Sequence, residues 1–447
     1  MTSTEFQEKL LQKAIEAGFK EAEVYFEQKS SFQCQLFEGE IDSYETSEDS
    51  GLGLRGIYNG KMGYSYSEKI DEESISFLIE SAKANADILD EDDGTDIFEG
   101  SSEYSSHQYY NEELASIPIT EKIELLRSIE HKIRTYDSRI VNLDYCLLEE
   151  FSTNRSLINS KDLSLTQKEN GLIIYVSTVV KDGKEMKTGR YMKMTRDFYS
   201  LDDDKIAKEA AEEALSNLGG KSIPSGKYPI ILRYDAAALL IGIFMSIFSA
   251  DNAQKNQSLL KGKVGQKVAS DVFTLLNDPF HPDALTGSNF DGEGVATKKQ
   301  AIILNGTLQT LLHNRKTAKI EGCETTGHAH KDSYKSSLTI APQNLYTLPG
   351  NRKQDDIIAS VSEGILITDL SGLHSGTNTI SGDFSVAATG FHIKDGRIAT
   401  PVKQMTIAGN FFDFLKDIEE TSSELYFHPY GYGSSSLLVK ELSVTVD

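Results

Sequence analysis

The hydrophobic and polar positions of the chain change period several times, and each change predicts a new element. At the start, Thr4 and Gln7 fit a helix-capping box, and apolar residues then recur at helical spacing until Gly18. Apolar and polar residues then alternate in AEVYFEQ, GLGLRGIY and MGYSYS. Between the last two segments, Asn59-Gly60 is a strong hairpin signal. The pattern predicts short antiparallel strands, and the helical stretch EESISFLIESAKANADIL closes this first block.

The second block repeats the same order of elements. The helical stretch ITEKIELLRSIEHKIRTYD precedes alternating segments with a turn at Asp182-Gly183, and the helical stretch DDKIAKEAAEEALSNL follows and ends at Gly219-Gly220. Helix, strands and helix therefore occur twice, although the residues themselves show no clean repeat.

The third block begins after Pro224 with the strand YPIIL and the apolar helix DAAALLIGIFMSIF. From about residue 290 the pattern predicts almost only strands, interrupted by one helix, FFDFLKDI. The predicted fold is α+β, with antiparallel sheets and flanking helices in the N-terminal part and a strand-rich, barrel-like C-terminal domain. The predicted domains are an N-terminal α+β domain, a central α+β domain that could pack with it as one unit, and a mainly antiparallel β domain, at residues 1–105, 106–222 and 223–447.

Charge and composition narrow the classes of partner. The net charge of -23 repels phosphate backbones and anionic membranes, so we expect no direct contact with nucleic acid or membrane. Three widely separated cysteines do not form a disulfide framework. The first residues lack the pattern of a signal peptide, and the longest apolar run is too short to span a bilayer. We expect a soluble cytoplasmic protein.

Two motifs fail on their context. The glycines of GLGLRG (residues 51–56) have dinucleotide-binding spacing, but strand and hairpin residues follow them where that motif needs a helix. The acidic stretch DEDDGTDIFEG resembles a calcium loop around Gly94, but Leu89 and Gly100 occupy the positions where carboxylates are needed. We interpret the second as a solvated acidic turn.

Metal chemistry of the usual peptidase type is not encoded. None of the nine histidines is followed by glutamate, so every zinc-helix motif that begins His-Glu is absent. A looser set remains in CETTGHAHKD, where Cys323, His328 and His330 could converge on a metal. A glycine-containing loop with two solvent-facing histidines is the commoner interpretation.

The segment SGLHSGTNTISGDFSVAATG, residues 371–390, concentrates polar and small residues. His374, Ser375 and Asp383 suggest a hydrolase triad, but Ser375 stands one place late for a nucleophile elbow. Adjacent side chains on a strand also point to opposite faces. The small residues favour a bare strand edge that faces a substrate or a partner, with plain packing as the alternative.

This segment and its continuation to FFDFLKDI resemble the C-terminal hallmark of the PmbA/TldD family. EGEIDSYETSEDSGLGLRGIYNGKMGYSYS and RKTAKIEGCETTGHAH resemble other parts of that family. The resemblance implies two kinds of subunit: TldD-like chains carry a His-Glu-x-x-x-His helix and a distal cysteine that bind metal, and PmbA/TldE-like chains lack them. Here the two histidine positions fall near Ile241 and Ser246 and the glutamate position near Gly242, while HPYGYGSSSLLV has no cysteine.

The resemblance therefore implies a non-metal-binding subunit of a TldD/TldE-type cytoplasmic metallopeptidase. It implies no cofactor in this chain, a TldD-like partner that carries zinc or iron, and a homo- or heterodimer whose cavity holds unfolded peptide in extended form. The substrate-groove candidates are His374, Ser375, Gly376, Asn378, Ser381, Gly382 and Asp383. Two alternatives remain: a stand-alone peptidase with metal on Cys323, His328 and His330, or a non-proteolytic modulator of DNA gyrase or of a toxin–antitoxin system.

Overall fold

The first 220 residues build a single antiparallel sheet with helices on one face. The computed structural model describes residues 2–89 and 95–446, so the acidic turn predicted around Gly94 lies largely outside the described residues. The helices of this part are α1 (Ser3–Glu16), α2 (Glu72–Ile88), α3 (Glu112–Ser116), α4 (Ile119–Tyr136) and α5 (Asp203–Ser216). The strands are β1 (Glu21–Phe37), β2 (Glu40–Tyr58), β3 (Lys61–Ser67), β4 (Ile140–Asn159), β5 (Ser164–Asp182) and β6 (Glu185–Thr195).

The sheet order β3-β2-β1-β4-β5-β6 joins two three-stranded meanders through the β1–β4 pair. Each meander is preceded and followed by a helix, which confirms the repeated plan. Asn59 and Gly60 have φ of 51° and 80°, as the predicted hairpin requires. The domain boundary near residue 105 stays a prediction, although strands from both sides of it share this sheet.

Two local predictions are wrong. The strands are long: β1 has 17 residues and β2 has 19, because backbone pairing continues through polar stretches such as Gln28–Ser31, where the apolar alternation stops. The first helix is capped by Thr2 and Glu5 and not by Thr4 and Gln7, because the Thr2 side chain accepts from the Glu5 N–H.

The C-terminal half encloses its core in a closed five-stranded barrel, beside a second sheet. Its helices are α6 (Tyr234–Phe244), α7 (Ala250–Gln254), α8 (Arg315–Glu321), α9 (Gln354–Ser360), α10 (Leu373–Gly376) and α11 (Phe411–Lys416). Its strands are β7 (Gly226–Leu232), β8 (Leu275–Asn277), β9 (Gln300–Leu304), β10 (Thr307–Leu308), β11 (Ala329–His330), β12 (Thr339–Ile340), β13 (Leu345–Thr347), β14 (Glu363–Ser371), β15 (Asp383–Lys394), β16 (Arg397–Pro401), β17 (Met405–Asn410), β18 (Ile418–Thr421), β19 (Tyr426–His428), β20 (Tyr432–Ser434) and β21 (Leu437–Val446).

Closure depends on one strand with two partners. β14 pairs in parallel with β7 and antiparallel with β15, so the series β14-β7-β21-β17-β15 returns on itself. The core between the barrel and α6 includes Phe244 and Phe411, whose rings stack with centroids 4.3 Å apart. The predicted barrel-like domain is confirmed, and the parallel β7–β14 pair is an exception to its antiparallel character.

The second sheet has the order β10-β9-β8-β13-β20-β19 and ends at β19. The prediction of almost only strands after residue 290 is wrong, because α8, α9 and α10 also lie there. These helices have seven, seven and four residues, too few for a helical period to show in the sequence. Within residues 2–89 and 95–446, no helix has the length and apolar content needed to cross a membrane.

The face of the first sheet opposite its helices is charged and yet buried. On β1, Val24 packs into the apolar core under the helices, while Glu23 and Glu27 face the C-terminal half. Arg55 Nη2 on β2 lies 3.1 Å from Glu23 Oε1, and Arg55 Nη1 lies 3.7 Å from Oε1 of Glu293 in the C-terminal half. The two halves are therefore joined through a buried ion network.

We expect Arg55→Ala to lower the free energy of unfolding by about 3–5 kcal/mol, because it leaves the Glu23 and Glu293 carboxylates buried without their cation. Urea denaturation followed by circular dichroism measures this. Arg139→Ala is the control, since Arg139 pairs with Asp137 on the surface and its loss should leave the midpoint near that of the wild type. Equal effects of the two variants would contradict a structural role for the network.

Candidate functional site

Helix α6 and the 3₁₀ turn that follows it carry the three positions near which the family resemblance places metal chemistry. Ile241 is 1% exposed and belongs to the hydrophobic core. Gly242 is buried, and Ser246 lies beyond the last residue of α6, in a 3₁₀ turn spanning Met245–Phe248. The helix predicted through residue 248 therefore ends at Phe244, so that Ile241 and Ser246 do not share one continuous α-helix. An apolar side chain, a glycine and a serine supply neither imidazole nor carboxylate.

An aromatic ring covers the glycine. A Cβ added to Gly242 would lie 2.8 Å from two carbons of the Tyr432 ring. That ring stacks on His428, with centroids 4.7 Å apart and planes 10° apart. Burial lowers the pKa of His428 to about 4, so its imidazole is neutral at pH 7. A glutamate at position 242 would have to displace Tyr432.

The stretch HPYGYGSSSLLV, where the family's distal cysteine would stand, is held by hydrogen bonds of its serines. Ser436 Oγ accepts from the Tyr234 N–H at 3.0 Å and donates to Gln354 Oε1 at 2.7 Å. The Ser435 N–H donates to Thr347 Oγ1 at 2.8 Å. All three serines, residues 434–436, are fully buried. The Ser436 hydroxyl therefore ties the C-terminal side of the tract to the first residue of α6.

A large cleft opens between the two halves of the molecule, beside α6. Its volume is about 1200 Å³. One wall is β6 with α5, the other is β19 with the first turn of α6, and residues 282–285 contribute to the lining. Both β6 and β19 are the last strands of their sheets, so each has an edge without a strand partner. The sequence pattern did not indicate this cleft, because β6 and β19, one from each wall, lie more than two hundred residues apart in the chain.

The cleft lining is strongly polar. The Arg233 guanidinium donates to both carboxylate oxygens of Glu213 at 2.9 Å and also to Asp235, so it ties α5 to α6. Arg190 on β6 lies 3.4 Å from Asp369 on β14, so this pair joins the two halves. The Tyr234 and Tyr426 rings stack with centroids 5.7 Å apart. Burial raises the pKa of Asp369, whereas the Arg190 cation opposes that shift.

The segment 371–390 is not one strand edge. Residues 373–376 form the single turn α10, and β15 pairs with β17 along one side and with β14 along the other. The first residues of β15 are covered by the turn itself, since Asn378 N–H donates to the Asp383 carbonyl at 2.8 Å. The predicted edge for backbone pairing is therefore absent here, because barrel closure occupies both sides of the strand.

Most of the seven groove candidates form hydrogen bonds within this turn. The Asn378 side chain accepts from the N–H groups of Ile380 and Ser381, and Ser381 Oγ donates to Asp383 Oδ2 at 2.9 Å. Gly382 has φ of 87° and lies against the Phe412 ring, so only glycine fits without strain. The remaining candidates are His374 and Ser375, both exposed, and Gly376, which packs against the Ser385 carbonyl. None of the seven lines the cleft, and their role in substrate binding stays a prediction.

Cys323, His328 and His330 are not grouped as a metal site among the described residues. His328 is buried, its Nδ1 lies 2.9 Å from Thr326 Oγ1, and its Nε2 has no hydrogen-bond partner in the described part of the chain. His330 Nε2 instead lies 3.0 Å from Asp332 Oδ1 on the surface. The alternative metal set is therefore not supported by the geometry.

Three family models match almost the whole chain. The model of the PmbA/TldA metallopeptidase domain 1 matches residues 22–86, that of the central domain residues 112–218, and that of the C-terminal domain residues 225–446. The chain belongs to the PmbA/TldD family. The family assignment made from the sequence is confirmed.

Relatives of this PmbA/TldD protein match over nearly their full length. An uncharacterized protein of Methanocaldococcus jannaschii is 30% identical over 419 residues, covering 92% of this chain and 93% of that protein. A Thermotoga maritima structure, named as a modulator of DNA gyrase, has a TM-score of 0.92 at 30% identity and covers 99% of this chain and 100% of its own. TldE from Thermococcus kodakarensis has a TM-score of 0.90 at 25% identity, covering 98% and 100%.

Gly242→Ala should lower the free energy of unfolding by about 1–3 kcal/mol, because the added methyl overlaps the Tyr432 ring. Alanine is otherwise the better helix former by about 1 kcal/mol, so the same change in a Tyr432→Ala background should be neutral or stabilising. Urea denaturation of the wild type, the two single variants and the double variant measures the coupling free energy between positions 242 and 432. Gly226→Ala is the matched control, since its added Cβ would lie 3.8 Å from the Tyr228 ring. If Gly242→Ala lowered the free energy of unfolding equally in the wild-type and Tyr432→Ala proteins, the Tyr432 ring would not be the cause of the destabilisation.

His328→Gln should make stability less sensitive to acid. Burial lowers the pKa of His328 to about 3 from the ordinary value of 6.5. Between these values the unfolded chain binds a proton that the folded chain refuses, so stability present above pH 6.5 is lost as the pH falls toward 3. The variant removes up to about 1.4 kcal/mol per pH unit from that slope. Urea denaturation at several pH values measures it, and an unchanged slope would assign the effect to another group.

Proposed function

We propose that this protein is the supporting subunit of a cytoplasmic TldD/TldE-type peptidase, which holds unfolded peptide in extended form for a metal-bearing TldD-like partner. The proposal rests on the residues of α6 and of the turn after it, which include no histidine or glutamate at the expected metal-binding positions. The family resemblance places the metal motif near Ile241, Gly242 and Ser246, and the Tyr432 ring packs against Gly242. Chemistry at this helix therefore has to come from another chain.

The cleft supports a role in binding peptide. Its volume of about 1200 Å³ exceeds that of ordinary small-molecule pockets. An extended peptide can pair with the free edge of β6 or of β19, and such backbone hydrogen bonds do not depend on the peptide sequence. Exposed polar groups alternate with apolar side chains such as Met192 and Leu239, so side chains of mixed character find partners.

The alternatives have weaker support. A stand-alone peptidase on Cys323, His328 and His330 lacks the geometry, since these residues do not group around one point. A role in modulating DNA gyrase is suggested by the name of the similar Thermotoga maritima protein. A version that contacts DNA is disfavoured by the net charge of -23.

We expect Met192→Trp and Leu239→Trp to slow partner-dependent cleavage of an unfolded peptide on the order of tenfold, the equivalent of about 1.4 kcal/mol of binding, because the larger rings fill the cleft. The assay is peptide degradation by the purified chain with and without a TldD-like partner. Met186→Trp is the matched control, since Met186 is exposed on the same strand outside the cleft.

The results of this cleavage assay distinguish the proposed function from its alternatives. Cleavage by this chain alone would overturn the supporting-subunit role. Cleavage that requires the partner but is slowed by His374→Ala and not by the two cleft variants would move the substrate to the turn at residues 372–383. Partner-dependent cleavage that only the cleft variants slow supports the proposal.

A further inference from the structure

A set of metal-ligand side chains that the sequence pattern did not group lies around helix α8. His313 stands two residues before this helix, Glu321 is its last residue and Cys323 follows it. His313 Nε2 lies 3.9 Å from Cys323 Sγ and 3.7 Å from Glu321 Oε2. The three ligand atoms all lie within 4.8 Å of one another.

The local fold explains how residues at opposite ends of a helix meet. Gly322 adopts a left-handed conformation with φ of 68°, and the Cys323 N–H then donates to the Ala318 carbonyl at 3.0 Å. The chain turns back along the helix, so that Thr326 reaches His313: the His313 N–H donates to Thr326 Oγ1 at 2.6 Å. This return places the Cys323 thiol beside the imidazole.

The His313 imidazole lacks ordinary hydrogen bonds. Its side chain is only 4% exposed. Nδ1 has no hydrogen-bond partner in the described part of the chain, and the two contacts of Nε2 exceed 3.5 Å. Buried polar atoms are rarely left in this state.

The distances fit a tetrahedral ion. Zinc bonds of about 2.3 Å to sulfur and about 2.0 Å to nitrogen place those two atoms about 3.5 Å apart, and nitrogen and carboxylate oxygen about 3.3 Å apart. The observed 3.9 and 3.7 Å therefore need to close by only a few tenths of an ångström. Glu321 is partly exposed and can move that far.

Space for a fourth ligand lies next to the thiol. Cys323 lines a cavity of about 200 Å³, together with Arg315, Lys319 and Thr325. Three protein ligands leave one position of a tetrahedral ion open, and water or a small anion can fill it from this cavity.

We propose that His313, Glu321 and Cys323 bind one zinc ion, with the fourth position open to the cavity. Thiolate, imidazole and carboxylate together are a donor set suited to zinc. On binding, the Cys323 thiol releases its proton to solvent and its sulfur bonds the metal, so affinity rises with pH. The ion links His313, two residues before α8, to Cys323, two residues after it.

The test is titration of the tag-free, full-length chain with Co²⁺, a spectroscopic substitute for zinc. We expect one Co²⁺ per chain, with a thiolate-to-cobalt charge-transfer band that zinc abolishes by displacement. Cys323→Ser should remove the band, and His313→Gln and Glu321→Gln should weaken binding about tenfold or more. The matched controls Glu324→Gln and His330→Gln should bind as the wild type does.

Circular dichroism of each variant guards against misfolding. Because His313 is buried, the variant of the more exposed Glu321 decides the case if His313→Gln does not fold. Absence of the band in the wild-type chain, or its survival in Cys323→Ser, overturns the proposal. Equal loss in His330→Gln would move the ion to a different ligand set and also overturns it. Peptide cleavage with the partner is measured separately, so failure here is distinguishable from failure of the proposed function.

Discussion

The buried pairing of Arg55 with Glu23 and Glu293 fixes how the two halves of the molecule meet. Arg55 and Glu23 belong to the N-terminal sheet, whereas Glu293 belongs to the C-terminal half. The same sheet face holds Lys331 of the C-terminal half, whose ammonium lies over the Tyr25 and Tyr64 rings, 5.2 and 4.7 Å from their centroids. Burial lowers the pKa of this lysine to about 8. Because each of these buried charges needs its partner, the network restricts how the two halves can pack against each other.

Much of the architecture could be predicted from local pattern. The repeated helix–strands–helix order, the Asn59-Gly60 hairpin and the barrel-like domain all follow from periodicity over ten to twenty residues. Strand length could not be predicted, because the polar centre of β1 stays paired where its apolar pattern stops. Closure of the barrel could not be predicted either, because it requires β14 to pair with both β7 and β15. That choice depends on long-range packing that no short window contains.

The candidate site shows the same division. The lack of any His-Glu pair was readable directly, but the ring over Gly242 comes from Tyr432, almost two hundred residues away. In residues 371–390 the glycines were correctly seen as sites of close approach, but the approaching groups are the Ser385 carbonyl and the Phe412 ring of this same chain. From the sequence Cys323 was grouped with His328 and His330, but the backward turn at Gly322 places its thiol beside His313. Sequence neighbours were a poor guide wherever the chain reverses.

The contact between Tyr432 and Gly242 also bears on the history of the chain. To match the metal motif that the family resemblance implies, this chain would need new residues at 241, 242 and 246, a thiol in the serine tract and a smaller side chain at 432. No one of these changes restores an ion site, and a side chain at 242 meets the ring at once. Each substitution would therefore lower stability before the full set could bind a metal ion. Under the proposed function, such a barrier would keep a supporting subunit dependent on its partner, so that the two chains would be inherited as a pair.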